Sequence, residues 1–342
     1  MKEFLYRAAH PALAPARDAC AYTSFLASCV RRRQNYVRQR WPGALDLDAA
    51  TRVAVFAHFD RQGVVDDFIL HYLAAIAHAG FTTVFVSNAP RLTSESLSRL
   101  TPLCGAILRR ANVGLDFGAF KDGLATLRLE RLEALLLVND SVYGPFRDLA
   151  DVMSGMNLLE ADVWGITDSW QHHFHLQSYF LLFGQRALTS PVFSRFWSRL
   201  RYVQSKSWVV KHYEIGLTRA LLQAGLRCRA LFPYRIAATM AVEAVQREMP
   251  ADSRALAGPR QRFAASLVAA VEAGRPLNPS HYFWDPLISR MGCPFLKREL
   301  LRKNPARIAG LVHWQDVIQV AGKYDTDLIV RNLERSVRNR AI

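Results

Sequence analysis

Short apolar runs alternate with segments of helical periodicity from residue 51 to residue 140, and few folds accommodate that rhythm. RVAVFAHF opens the series and predicts a strand over 52–58. In VDDFILHYLAAIAHAG, Phe68, Ile69, Tyr72, Leu73 and Ile76 recur at the intervals of one helix face, and Gly80 stops the run. TTVFVSN predicts a strand over 82–87, and SESLSRLTPL a short capped helix. CGAILRR predicts a strand over 104–110, FGAFKDGLATL a helix, and LEALLLVND a strand over 132–140. That last strand is nearly all apolar, as one covered on both faces must be. Such alternation requires right-handed crossovers and a mainly parallel sheet. Ligands of such sheets lie beyond the carboxyl ends of the strands. Those ends are HFD (58–60), SNA (87–89), RRANVGLDFG (109–118) and NDSVYGP (139–145), so the four segments are expected at one site.

After residue 150 the rhythm changes. DVWGITDS (162–169) and LQSYFLLF (176–183) read as strands, and PVFSRFWSRL and YEIGLTRALLQAG (213–225) as helices. From about 236 the pattern is helical, without clear strands. The expected division is a basic, helical arm over 1–50, an α/β domain over 51–235, and a helical extension over 236–342 that packs on the site. With 342 residues and 51% hydrophobic content, the chain can bury a large core and is not a disordered polymer. No apolar run approaches the ~20 residues of a membrane span. MKEFLYRAAHPALAPARDAC lacks the uninterrupted apolar stretch of a signal peptide. Cys20, Cys29, Cys104, Cys228 and Cys293 are odd in number and spread out, which fits a reducing cytosol and neither a disulfide framework nor a zinc ribbon. Lysine and arginine total 44 against 29 acids, a net charge of +15. Nucleic acid, an anionic membrane face or a phosphorylated substrate would suit that charge, and so would a basic solvated surface. The densest basic stretches are RRRQNYVRQR (31–40) and KRELLRKNPAR (297–307).

Three constellations could carry chemistry. In NVGLDFGAFKDG (112–123), Asn112, Gly114, Gly118 and Gly123 let the backbone turn and approach a ligand, with Asp116, Lys121 and Asp122 beside them. A tight βα turn with a capping aspartate reads equally well. In LLLVNDSVYGPF (135–146), Asp140 stands at the carboxyl edge, where a carboxylate can hold Mg²⁺ or Mn²⁺ against a diphosphate; an Asx-turn is the plainer reading. In HYEIGLTRALLQAG, Glu214 is expected in a first helical turn, where the macrodipole favours its ionised form. HHFH (172–175) suits substrate contact or a loop better than a metal. The aromatics of YFLLF, FSRFW and HYFWD suit a core. No GxGxxG, P-loop or GxSxG occurs, which argues against dehydrogenase, kinase and esterase chemistry.

The order of the pieces is more telling than any one of them. N-x-G-x-D-F-G, then an apolar strand ending in an acid, then E-x-x-L-x-x-x-L-x-x-x-G, resembles inverting glycosyltransferases of the A-type fold. The strings HFDRQGVVDD, NVGLDFGAFKDG, LLLVNDSVYGPF, DVWGITDS with HLQSYFLLF, KHYEIGLT, and NPSHYFWDPLI with PFLKRELLRKNP more closely resemble the rhamnan synthesis F family, over roughly 50–310. The resemblance implies an A-type α/β fold with a mainly parallel sheet and a helical C-terminal extension. It implies transfer of a deoxyhexose, typically L-rhamnose from dTDP-L-rhamnose, to a lipopolysaccharide or capsular glycan. It makes Glu214 the base and sets Asp60 and Ser87 near the nucleotide. Asn112, Gly114, Asp116, Gly118 and Lys121 would hold sugar or diphosphate, and Asp140 with Ser141 would support the diphosphate. His175, Gln177, His281 and Trp284 would touch the acceptor. The usual Asp-x-Asp of the A-type class is Asn139-Asp140-Ser141 here. Either one carboxylate, Asp140, helps hold Mg²⁺ or Mn²⁺, or Lys121 and arginines meet the phosphate charge. Residues 297–307 could reach the donor phosphates or an anionic membrane. The expected partners are a nucleotide-sugar donor and a glycan or lipid-linked glycan acceptor, in the cytoplasm or at the inner face of the plasma membrane, and not nucleic acid. The alternatives are transfer of another sugar or a polyol-phosphate, and a non-catalytic binder of nucleic acid or anionic surfaces.

Overall fold

The computed structural model describes residues 21–29, 35–248 and 258–338. The N-terminal string 1–20 and the first part of the basic stretch, 31–34, lie outside the described residues. The strands are β1 (Val37–Pro42), β2 (Arg52–His58), β3 (Thr82–Ser87), β4 (Cys104–Arg110), β5 (Ala134–Asn139), β6 (Val142–Tyr143), β7 (Val163–Ser169), β8 (His175–Leu176), β9 (Phe180–Gly184), β10 (Cys228–Phe232) and β11 (Leu296–Lys297). The central sheet runs β1-β4-β3-β2-β5-β9-β7-β10, with β8 beside β7. β4, β3, β2 and β5 are mutually parallel. β9 runs antiparallel between β5 and β7, and β10 is parallel to β7. This is the mainly parallel α/β architecture, with a helical C-terminal region, that the A-type resemblance implies.

Strand alternation explains the two apolar layers. Val53, Val55 and Ala57 of β2 face a layer with Phe117, Phe120 and Trp197, whereas Ala54 and Phe56 face a layer with Phe68 and Tyr72. β5 is buried along its whole length, as its unbroken apolar run requires. The helix Asp67–His78 buries the five residues of its predicted face, and Gly80 leaves it with a φ of +80-odd degrees that glycine adopts freely. The C-terminal region adds Trp284, Leu287, Phe295 and Ile329 to the Phe56 layer, so it shares the core of the sheet.

Three local expectations change. Val37–Pro42 lies in the expected helical arm but pairs antiparallel with β4, because the outer edge of β4 would otherwise leave its backbone groups unpaired. LQSYFLLF breaks into β8 and β9, and Ser178 between them gives its N–H to Glu214 instead of a strand neighbour. Leu296–Lys297 is a strand inside the helical extension and pairs with β6.

At the end of β4, Arg110 has no solvent exposure. Its Nε donates to Asp122 Oδ2 at 2.6 Å, its Nη1 to Asn88 Oδ1 at 2.6 Å and its Nη2 to the Val113 carbonyl at 2.9 Å. Removing one partner of such a pair strands a buried charge. Asp122→Ala is expected to cost about 3–5 kcal/mol in urea unfolding. A loss below about 1 kcal/mol, the level of a surface bridge, would contradict this account.

Candidate active site

Because β2 to β5 are parallel, their carboxyl ends share one rim, and hydrogen bonds knit the four following segments together. His58 Nδ1 and Ser87 Oγ share one at 3.1 Å. Arg110 reaches Asn88, and Asn88 Nδ2 donates to the Leu115 carbonyl at 3.4 Å. Phe59 N donates to Asp140 Oδ2 at 3.4 Å, and Asn139 Nδ2 to Asp116 Oδ2 at 2.9 Å. The four segments converge as the strand rhythm requires.

Asp116 opens the helix Leu115–Leu124. Burial, with Asp140 and Glu214 nearby, pushes its carboxyl up to about 7, against the pull of Lys297. Asn139 is committed at both ends, since its Oδ1 accepts from Ser141 N at 3.1 Å and from Ser141 Oγ at 2.5 Å. Lys297 Nζ donates to Ser141 Oγ at 3.2 Å. Arg298 Nη1 donates to Asp140 Oδ2 at 3.0 Å.

Glu214 is not in a first helical turn. Lys206–Trp208, the π-helical Val209–Glu214 and Ile215–Gln223 follow without a break, so Glu214 lies inside the helical run. The macrodipole therefore does not hold its charge. Single π turns of this kind recur at functional sites. Here the carboxylate meets Ser178, whose N–H donates at 3.0 Å and whose hydroxyl also donates, and His175, whose Nε2 is 3.5 Å away. His175 Nδ1 faces the His173 carbonyl at 2.8 Å.

The other predicted residues divide. Asp60 lies on the rim but accepts from Gln62 N and Val64 N and is paired with Arg335 at 2.8 Å. Ser87 is fully buried beneath the rim, and Asn112 is exposed on its loop. His281 is half-buried; burial, with Lys297 close by, pushes its imidazole down to about 4. Gln177 is buried, accepting from Thr167 Oγ1 at 2.7 Å and donating to Asn278 Oδ1 at 3.3 Å. Four of the predicted residues make packing contacts. Gly114 and Gly118 admit close approach of their own chain. A Cβ on Gly114 would lie 3.0 Å from Tyr202 Cα, and one on Gly118 2.5 Å from the Val113 carbonyl. Lys121 Nζ donates to the Leu200 carbonyl at 2.7 Å and the Ser198 carbonyl at 3.3 Å, which spends its charge on a turn. Trp284 is buried in the core layer of Phe68. The sequence reading included His58 only within the strand-end segment HFD and did not single out Ser178; a polar residue ending the apolar run RVAVFAH, and another interrupting LQSYFLLF, are their signals.

A divalent cation at Asp140 would need further oxygen ligands. The donor set does not fit one. The Asp140 carboxylate is matched by Arg298, and Asn139 and Asp116 are hydrogen-bonded to each other within the rim. Among the described residues no group of three or more His, Cys, Asp or Glu side chains could hold a metal, HHFH included.

A family model described as rhamnan synthesis protein F matches residues 83–245. The virulence protein VirA of Vibrio anguillarum is 32% identical over 236 residues, covering 67% of this chain and 72% of that protein. Among solved structures, a nucleotide-diphospho-sugar transferase from Desulfovibrio desulfuricans, named as such without proof of activity, aligns with a TM-score of 0.32 at 12% identity, covering 64% of this chain and 95% of that one. TarS of S. aureus in complex with UDP aligns with a TM-score of 0.34 at 13% identity, covering 84% and 91%.

The Glu214–His175 contact has a pH signature. Burial alone would raise the Glu214 carboxyl and lower the His175 imidazole, but each outweighs that effect on the other, with Ser178 adding hydrogen bonds to Glu214. His175 therefore contributes stability that is complete below 6.5 and lost as pH rises through its raised value. Glu214 contributes above 4.5 and loses its contribution as pH falls through its lowered value. An NMR titration is expected to place His175 above 6.5 in the unaltered protein and lower in Glu214→Gln. Identical titrations would remove the coupling.

Proposed function

The chain belongs to the rhamnan synthesis F family, and from that premise we propose that it is an inverting glycosyltransferase using a deoxyhexose donor. The donor in this reading is dTDP-L-rhamnose, and the acceptor is a glycan or lipid-linked glycan of a bacterial surface polysaccharide. Residues 51–235 form the transferase domain, and 236–342 pack on its site. Among the described residues no helix is long and apolar enough to cross a membrane. Contact with the inner membrane face would then be peripheral, through the basic surface.

One observation carries the reading. Asn139, next to Asp140, donates to Asp116, and Lys297 donates to Ser141 while lying 4.2 Å from the Tyr179 ring, next to the Ser178 that donates to Glu214, so residues from distant parts of the chain meet at one rim. A carboxylate held ionised beside a basic group is the arrangement that inverting transfer needs. Glu214 accepts the proton of an acceptor hydroxyl as that oxygen attacks the anomeric carbon. The bond to the diphosphate breaks on the opposite face, which inverts the centre. His175 and Ser178 hold the carboxylate in place, and in this reading Asp116 and Asn112 orient sugar hydroxyls.

A screen of dTDP-, UDP- and GDP-sugars, read as nucleotide release with acceptor present, identifies the donor and separates this reading from transfer of another group. Glu214→Gln is expected to lower kcat by about 10²–10⁴-fold with an unchanged circular dichroism spectrum. Near-normal turnover by that variant, correctly folded, removes Glu214 as the base.

A further inference from the structure

Asp140 stands where the A-type class places a metal–diphosphate ligand, yet a side chain of the same protein already answers its charge. Arg298 Nη1 donates to Asp140 Oδ2 at 3.0 Å and to the Asp140 carbonyl at 2.5 Å. The two side chains are 13% and 14% exposed, so the pair is largely withdrawn from water. The ribbon of β6 and β11 puts Arg298 there. Leu296 pairs with Tyr143 and Lys297 with Val142, and Arg298 N donates to the Ser141 carbonyl at 3.0 Å.

The same ribbon delivers Lys297. Its ammonium carries three donors, one of which goes to Ser141 Oγ at 3.2 Å. It also lies 4.2 Å from the centre of the Tyr179 ring. Arg298 matches Asp140, His175 matches Glu214, and Lys206 is drawn to Glu299 at 3.2 Å. Lys297 faces the Glu214 and Asp116 carboxylates, and burial pushes its ammonium down to about 8, but among the described residues it forms no salt bridge with either, so it keeps donors for an incoming anion.

We propose that Lys297 meets the diphosphate of the donor, while Arg298 closes the Asp140 carboxylate to a divalent cation. This rests on the glycosyltransferase reading and specifies how that site handles the leaving group. As the acceptor oxygen bonds to the anomeric carbon, the bond from that carbon to the diphosphate oxygen breaks. Its electron pair stays on the departing oxygen, where Lys297 donates hydrogen bonds to the growing charge. The acceptor proton goes to Glu214.

Calorimetric titration of the full chain tests this, with dTDP, UDP and GDP as diphosphate probes and thymidine as the uncharged control. The unaltered protein is expected to bind dTDP equally, within about twofold, in EDTA and in Mn²⁺. Lys297→Met is expected to weaken dTDP by about tenfold or more, to leave thymidine unchanged, and to be rescued by Lys297→Arg. The thymidine affinity reports an intact fold, and Lys297→Gln replaces the methionine variant if that affinity is lost. Diphosphate binding that requires Mn²⁺, or a Lys297→Met protein with normal dTDP affinity, overturns the proposal and leaves the transferase reading standing. Failure of all three diphosphates to bind in either condition overturns both.

Discussion

A guanidinium sealed from water has to be answered by the protein itself, and around Arg110 the answers come from three separate segments. Asp122 supplies the countercharge, Asn88 an amide oxygen from the loop after β3, and Val113 a carbonyl from the loop after β4. Asp122 is shared further, since Oδ2 accepts from Tyr36 N at 3.1 Å and Oδ1 from the Tyr202 hydroxyl. Such a buried pair is a poor source of net stability compared with an apolar core, but a costly one to break. Its value here is geometric. It fixes the turn 111–114, and that turn decides where the helix Leu115–Leu124 starts and hence where Asp116 meets Asn139.

Around that joint the rim is organised by charge. Asp116, Asp140 and Glu214 would repel one another strongly if all were bare in a half-buried setting. Each is relieved differently. Asp140 is paired, Glu214 is hydrogen-bonded and faces an imidazole, and Asp116 is eased toward protonation with an amide as its partner. Different relief gives one type of side chain different chemistry, with the Glu214 carboxyl held below its usual value and that of Asp116 pushed up to about 7.

The sheet was legible because its signals are local. Apolar runs of strand length, a helical face from Phe68 to Ile76 and a stop at Gly80 need only their neighbours to be read. The convergence of the four loops followed from parallel strands alone. Elsewhere the deciding contacts are distant. Nothing near Glu214 in the chain announces that its helix begins at Lys206, or that Ser178 will supply its hydrogen bonds. Glycine spacing in NVGLDFGAF marked a close approach correctly, but the approaching group is Tyr202, far along the chain. Lys121 was placed on the correct helix, and its partners are carbonyls of a turn with no motif of its own. A strand of two residues, Leu296–Lys297, has no periodicity to detect, so the basic run 297–307 stayed open between phosphate and membrane.

The net charge of +15 also takes on a structural meaning through the C-terminal region. Taken alone, the carboxyl edge of the sheet presents Asp60, Asp66, Asp116 and Asp140, a field that would repel a diphosphate. Two arginines from the extension offset it. Arg298 takes Asp140, and Arg335 takes both Asp60 and Asp66. Asn332 fastens the second arrangement to the ribbon, donating to Asp66 Oδ2 at 2.6 Å and accepting from the Tyr143 hydroxyl at 2.7 Å. The extension thus supplies charge as well as packing. It pairs three of those four carboxylates with arginines of its own.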